Sequence, residues 1–171
     1  MTARCHNREV REALNRKLSQ YQITLETVWT KDEFEVHLKE FHPKEKRSRQ
    51  SFVIASISFM LPGSYMANHF DIPSDTAYLG HVEARKEYRG SKLGVVMVCY
   101  ALCLLSEKKH IRNISLHAAD QGSGKLIEYY RELGFEMRDK KESLMVAPIH
   151  KIVKICETDN LFTRKVASRK R

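Results

Sequence analysis

The run Glu87-Tyr88-Arg89-Gly90-Ser91-Lys92-Leu93-Gly94 puts two cations, two glycines and a hydroxyl side by side, a combination suited to holding an anion. It lies between a strand-like stretch, Tyr78 to Ala84, and the most apolar helix-like stretch of the chain, Leu93 to Leu105. The first turn of a helix has N–H groups without intrahelical partners, and the peptide dipoles add partial positive charge there, so a phosphate can use both. Gly90 and Gly94 let a ligand come close, while Arg89 and Lys92 supply full charge. Taken alone, the joint reads equally well as an ordinary turn whose glycines close the chain. The other glycine-rich turn, Gly122-Ser123-Gly124-Lys125, is not a nucleotide phosphate loop, because Ala119 and Leu126 stand where that loop needs a glycine and a hydroxyl residue. Cys99 and Cys103 share a helix face, yet no Cys-x-x-Cys or His-Glu-x-x-His accompanies them. They are expected to act as small core hydrophobes, with no metal.

The elements that would position this joint follow from periodicity. Val10, Leu14 and Leu18 predict an amphipathic helix over Arg8 to Gln20, and the alternation in Tyr21 to Trp29 predicts a strand. Phe34, Leu38 and Phe41 form one helical stripe, so Lys31 to Phe41 is expected to be a helix, stopped by Pro43. Ser51 to Leu61 is a strong strand, with Val53, Ala55, Ile57 and Phe59 as its apolar face. A long loop to Thr76 is read either as part of a substrate pocket or as a disordered excursion. Ala77 to Ala84 is a strand, and Asn113 to Ala118 another, parallel to it if the apolar helix crosses over between them. Lys125 to Leu133 is a helix closed by Gly134, and Phe135 to Arg138 and Leu144 to Ile155 are closing strands. The order predicts an α/β (α+β) fold with a central mixed sheet.

At 171 residues with a 42% hydrophobic share, the chain can bury one core without cross-links. It is expected to be one domain over 1–160, followed by a basic tail at 161–171. No apolar run is long enough to span a bilayer, and the polar start resembles no secretory signal, so a cytoplasmic location and no membrane partner are expected. The net charge of +9 favours an acidic ligand or partner. Much of it sits in Lys44 to Arg49 and in the tail, each read as solvated chain rather than a recognition element.

From Ala77 to Phe135 a strand, an Arg-Gly turn, a long apolar helix, a second strand and a helix ending Tyr-Tyr-x-x-x-Gly-Phe resemble the GNAT superfamily of N-acetyltransferases. Glu87, Tyr88, Arg89, Gly90 and Gly94 match that family's acetyl-CoA turn. Lys92 stands where the family usually has its middle glycine, and either crowds the pyrophosphate or lies alongside it. Ser123 and Leu126 replace the family's Asn and Ala on the later helix. The resemblance implies a GNAT-like fold, with a mixed, mostly antiparallel twisted sheet flanked by helices. It also implies acetyl-CoA, or another acyl-CoA, as cosubstrate. The pyrophosphate would lie on Arg89, Gly90, Ser91, Lys92, Leu93 and Gly94, with Ser123 nearby. The pantetheine arm would pair with main-chain atoms of Val82 to Ala84 like an added strand. Tyr130 matches the tyrosine that protonates the leaving thiolate, and Gly134-Phe135 follows it in register.

For the base that frees the amine, His81 and Glu83 share a strand face opposite Tyr78, Gly80, Val82 and Ala84, and would reach the site only through a bulge. His117 is a third candidate, and the base is left unassigned. The activity implied is acyl-CoA-dependent transfer to a primary amine. The alternative is a non-catalytic GNAT-like module whose basic surface binds nucleic acid or a protein. No nucleic-acid motif supports that alternative. A homodimer is compatible with either reading.

Overall fold

The computed structural model describes residues 3–41, 51–91, 93–119, 122–141 and 143–158. Lys92, the run Lys44 to Arg49 and the tail at 161–171 therefore lie outside the described residues. In chain order the elements are α1 (Ala3–Ser19), β1 (Ile23–Trp29), β2 (Glu33–Phe41), β3 (Ser51–Met60), α2 (Tyr65–His69), β4 (Thr76–Ala84), α3 (Leu93–Leu105), β5 (Asn113–His117), α4 (Lys125–Glu132), β6 (Glu136–Asp139), β7 (Leu144–Pro148) and α5 (Ile149–Thr158). The strands form one sheet in the order β1-β2-β3-β4-β5-β7-β6. All neighbours are antiparallel except β4 and β5. This is the mixed, mostly antiparallel sheet expected.

Two segments depart from the sequence reading. Lys31 to Phe41 is a strand rather than a helix. Phe34, Val36 and Leu38, all fully buried, satisfy a period of two as well as Phe34 and Leu38 satisfy a helical stripe. The Thr30 hydroxyl decides the matter by accepting the Glu33 N–H at 2.9 Å, which closes a hairpin and commits β2 to both β1 and β3. Leu144 to Ile155 is half strand and half helix, because Pro148 ends β7 and the next residues wind into α5. Ile149, Ile152, Val153 and Cys156 then form its buried stripe.

The core lies on one face of the sheet, where Phe34, Val36, Leu38, Ala55, Ile57, Phe59, Ala77, Leu79, Ile114, Leu116, Met145 and Ala147 are buried. α3 packs on this side and is buried nearly all round, which explains its unbroken apolar sequence; α1 and α5 flank it. Each fully buried Leu or Val contributes about 2 kcal/mol relative to exposure. Cys99 of α3 forms a disulfide with Cys156 of α5, with a Cα–Cα distance of 5.8 Å. That corrects the expectation that Cys99 is simply a core hydrophobe. Cys103, one turn along, is buried and takes no part in the disulfide.

Bulges interrupt two strands. On β3, Leu38 pairs with Ala55 and Lys39 with Val53, so Ile54 is extra. Ile54 and Ala55 are both buried while Val53 is 38% exposed, so Val53 leaves the apolar face predicted for it. On β4, Ser58 pairs with His81 and Phe59 with Leu79, so Gly80 is extra. The second bulge matters for chemistry.

Candidate acyl-CoA site

β4 and β5 are held together only at their starts. Asp75 fastens them there: its carbonyl accepts the Arg112 and Asn113 N–H groups at 2.8 and 3.1 Å, and its carboxylate accepts from the Asn113 side chain at 3.1 Å. Strand pairing runs Thr76 to Asn113, Ala77 to Ile114 and Tyr78 to Ser115, and then stops. Beyond Tyr78 the sheet is split. The Arg85 N–H bonds the Ile54 carbonyl of β3 at 2.9 Å. By antiparallel alternation, the N–H and C=O groups of Val82 and Ala84 point away from β3 and into the split. An extended ligand can pair with that open strand edge.

The split opens into a cleft of about 600 Å³ lined by Val82, Glu83, Ala84, Tyr88, Arg89, Gly90, Leu93, Gly94, Val95, Tyr129, Glu132 and Leu133. Six of the expected binding residues meet here: Val82, Ala84, Arg89, Gly90, Leu93 and Gly94. Ser91, Ser123 and Tyr130 do not line the cleft. Ser91 turns back, its hydroxyl donating to the Tyr88 carbonyl. The Ser123 hydroxyl accepts the Lys125 N–H at 3.3 Å, at the start of α4.

The joint between β4 and α3 owes its shape to local bonds. A single 3₁₀ turn, Lys86–Tyr88, is followed by Gly90 at φ +73°, a left-handed conformation that costs a side-chain-bearing residue about 1–2 kcal/mol. The Arg89 guanidinium donates to the Ala84 carbonyl at 3.1 Å, which lays a full positive charge along the strand edge. The Tyr88 hydroxyl donates to the Glu40 carboxylate. Burial, and then that carboxylate, push the Tyr88 phenol up to about 12.

Sequence reasoning assigned Tyr129 no part in the cleft. In the structure Tyr129 is the cleft wall, and a Cβ on Gly94 would lie 3.7 Å from its hydroxyl. The signal was helical: Tyr129, Glu132 and Leu133 stand at i, i+3 and i+4, and so share the cleft-facing side of α4. Tyr130 lies behind, 9% exposed, edge-on to both Tyr129 and Phe135. Burial, and then the neighbouring Tyr78, raise its phenol.

Burial pushes Tyr129 up to about 12, and this has a measurable consequence. The unfolded chain ionises this phenol near pH 10 and the folded chain near 12. The contribution is therefore intact below pH 10 and is lost as pH rises towards 12, by up to about 3 kcal/mol. Thermal unfolding followed across that range should show the loss, and Tyr129→Phe should flatten it.

The bulge at Gly80 reverses the facing predicted for the end of β4. Through their β3 partners, Ala84, Val82 and Leu79 share the buried face with Ala55, Ile57 and Phe59, whereas Glu83, His81 and Tyr78 share the other with Ser56, Ser58 and Met60. His81 and Glu83 are thus on the same face as Tyr78, not opposite it. They lie 3.3 Å apart, at 60% and 69% exposure. Also on that face, His117 Nδ1 lies 3.0 Å from the Tyr78 hydroxyl.

The sequence matches no protein-family model and no curated protein. Solved structures do superpose. The KacTA–DNA complex aligns at TM-score 0.55 with 17% identity over 86% of each chain. AtaTR bound with AcCoA aligns at 0.52 with 20% identity over 73% of each. A mutant AtaT toxin bound to the C-terminus of the antitoxin AtaR aligns at 0.55 with 12% identity, over 81% of this chain and 99% of that one. The fold is GNAT-like. In this GNAT-like fold the split between β4 and β5, the Arg89 to Gly94 joint and α4 enclose one cleft. Among the described residues, no group of His, Cys, Asp and Glu is placed to hold a metal, and no helix is long and apolar enough to cross a membrane.

Proposed function

We propose that the protein is an acyl-CoA-dependent N-acyltransferase that moves an acetyl group from acetyl-CoA to a primary amine by direct attack. The observation that carries this reading is the outward-facing main chain of Val82 and Ala84, which ends at a helix N-terminus flanked by Arg89. An extended amide-bearing arm and a pyrophosphate need these two features in this order. Superposition on AtaTR bound with AcCoA supports the reading.

On this reading the pyrophosphate takes the first-turn N–H groups of α3 and the Arg89 charge, while the arm continues the sheet along Val82 and Ala84. The thioester then points up the split towards Tyr78 and Tyr130. The amine nitrogen forms the C–N bond, and the C–S bond breaks with its electron pair going to sulfur. Tyr130 gives its proton to the thiolate and recovers one from the new amide nitrogen, ending the cycle neutral. A phenol stays protonated at neutral pH, and burial raises that of Tyr130 further.

Calorimetric titration with acetyl-CoA tests the reading, with Val82→Pro as the informative variant. Proline removes one N–H that faces the split and leaves the β3 ladder intact. Acetyl-CoA affinity should fall by about tenfold or more while thermal stability changes little. No heat with the wild-type protein at millimolar acetyl-CoA would sink the proposal.

A further inference from the structure

We infer that the base freeing the acceptor amine is a two-residue relay, the Tyr78 phenol backed by His117, set at the apex of the split on the face opposite α3. The inference rests on the acyltransferase reading above and assigns the group that reading leaves open.

The placement is specific. Tyr78 is the last β4 residue paired with β5, so its side chain stands where the opening begins. His117 is two residues beyond Ser115, the partner of Tyr78, and therefore projects on the same face. Its Nδ1 lies 3.0 Å from the Tyr78 hydroxyl, and the two rings are 5.7 Å apart. Phe70, at the end of α2, stacks on Tyr78 at 5.7 Å and 14° and tilts over His117 at 6.5 Å. The five-residue helix α2, capped by the Ser64 hydroxyl on the Ala67 N–H, thus presses an aromatic cover onto the pair. A phenol bonded to an imidazole at the end of an acyl-donor channel is arranged to pass a proton.

The step balances. An ammonium nitrogen in contact with Tyr78 gives its proton to Oη, as the Tyr78 proton passes to His117 Nδ1. A neutral amine, a neutral phenol and an imidazolium result. The amine attacks the thioester, and the imidazolium later releases its proton to water. Nδ1 must start as the acceptor, so His117 carries its resting proton on Nε2. Tyr78 does not itself need to ionise; burial raises its phenol above the ordinary value, and it serves as a conduit. The exposed His81–Glu83 pair lies on the same face but three residues past the apex, without a contact to Tyr78 among the described hydrogen bonds.

The titratable groups around His117 are Tyr78 from β4, His69 beyond Phe70 on α2 and, past Tyr78, Tyr130 from α4. β7 offers Leu144 across from it.

The test uses the full chain and two nucleophiles with acetyl-CoA: an alkyl primary amine accepted by the wild type, and hydroxylamine, which is uncharged at neutral pH and is read as its hydroxamate. Tyr78→Phe and His117→Gln should each lower kcat/KM for the alkyl amine by about a hundredfold and leave hydroxylamine transfer within about threefold. Equal losses with both nucleophiles would make the pair structural and overturn the relay, as would the same selective loss in His81→Gln. Acetyl-CoA titration of each variant separates the two levels. A wild type that binds acetyl-CoA and transfers to amines while the variants stay unchanged removes only the relay, and a wild type that does neither removes the acyltransferase reading and the relay with it.

Discussion

Tyr130→Phe is expected to lower turnover by about a thousandfold while leaving acetyl-CoA affinity within about twofold. Tyr130 does not line the cleft where the pyrophosphate and arm would lie, so deleting its hydroxyl removes no binding contact there. The ring keeps its edge-on contacts with Tyr129 and Phe135, which phenylalanine reproduces. What disappears is a proton donor near Tyr78, at the apex to which the thioester would point. Tyr129→Phe should behave in the opposite sense, because that hydroxyl sits at the α3 N-terminus beside Gly94; its loss should weaken coenzyme binding more than it slows turnover. Steady-state kinetics with parallel calorimetry separates the two. A Tyr130→Phe enzyme with wild-type kcat would remove Tyr130 from the chemistry.

Much of the cleft was legible because its parts are contiguous in sequence. The Arg89 to Gly94 joint and α3 announce themselves through glycine, charge and an unbroken apolar run. The parallel pairing of β4 with β5 follows from a single crossover helix. Val82 and Ala84 were placed on the open strand edge by resemblance, and the structure orients them into the split through the Arg85 to Ile54 bond. The errors have a common cause, which is that local period is ambiguous until a partner is chosen. Phe34, Val36 and Leu38 fit a strand as well as Phe34, Leu38 and Phe41 fit a helix, and the Thr30 hairpin decides. Ile149, Ile152 and Val153 are β-branched yet lie on one helical stripe once Pro148 breaks the strand.

A bulge in β4 stood only as a condition for His81 and Glu83 to reach the site; its presence at Gly80 was not legible, because it is a property of the register between β3 and β4 rather than of either strand. Its effect on function is large. One extra residue moves His81 and Glu83 to the face of Tyr78, and it leaves the main-chain groups of Val82 and Ala84 aimed into the split. A reading of side-chain alternation alone put the candidate bases on the wrong side. The two tyrosines show the same limit on a smaller scale. Adjacent residues on a helix differ by about 100° in direction, so one wall residue and one apex residue can be told apart only when the neighbours of α4 are known.

Replacing Cys99 and Cys156 together by alanine is expected to cost about 4 kcal/mol of stability. The bond closes a loop of 57 residues between α3 and α5, and cross-linking a loop of that length removes about this much free energy from the unfolded chain in the entropic account. The enclosed segment contains β5, α4, β6 and β7, and thus both tyrosines and His117. Alanine suits the test because both sites are buried, at 0% and 4% exposure, where serine would strand a hydroxyl. The neighbouring Cys103→Ala, which breaks no disulfide, serves as the control for truncating a buried thiol, with an expected cost of about 1 kcal/mol. Urea unfolding should place the double variant well below this control, with a larger m value from the less constrained unfolded chain. If the double variant instead matches two independent small cavities, the cysteines pack as thiols and α5 is held by Ile152 and Val153. The site-level consequence is separable: α3 carries the cleft at its first turn, and Cys99 lies on the same helix about one and a half turns later. Loss of the tie to α5 should therefore lower stability far more than acetyl-CoA affinity.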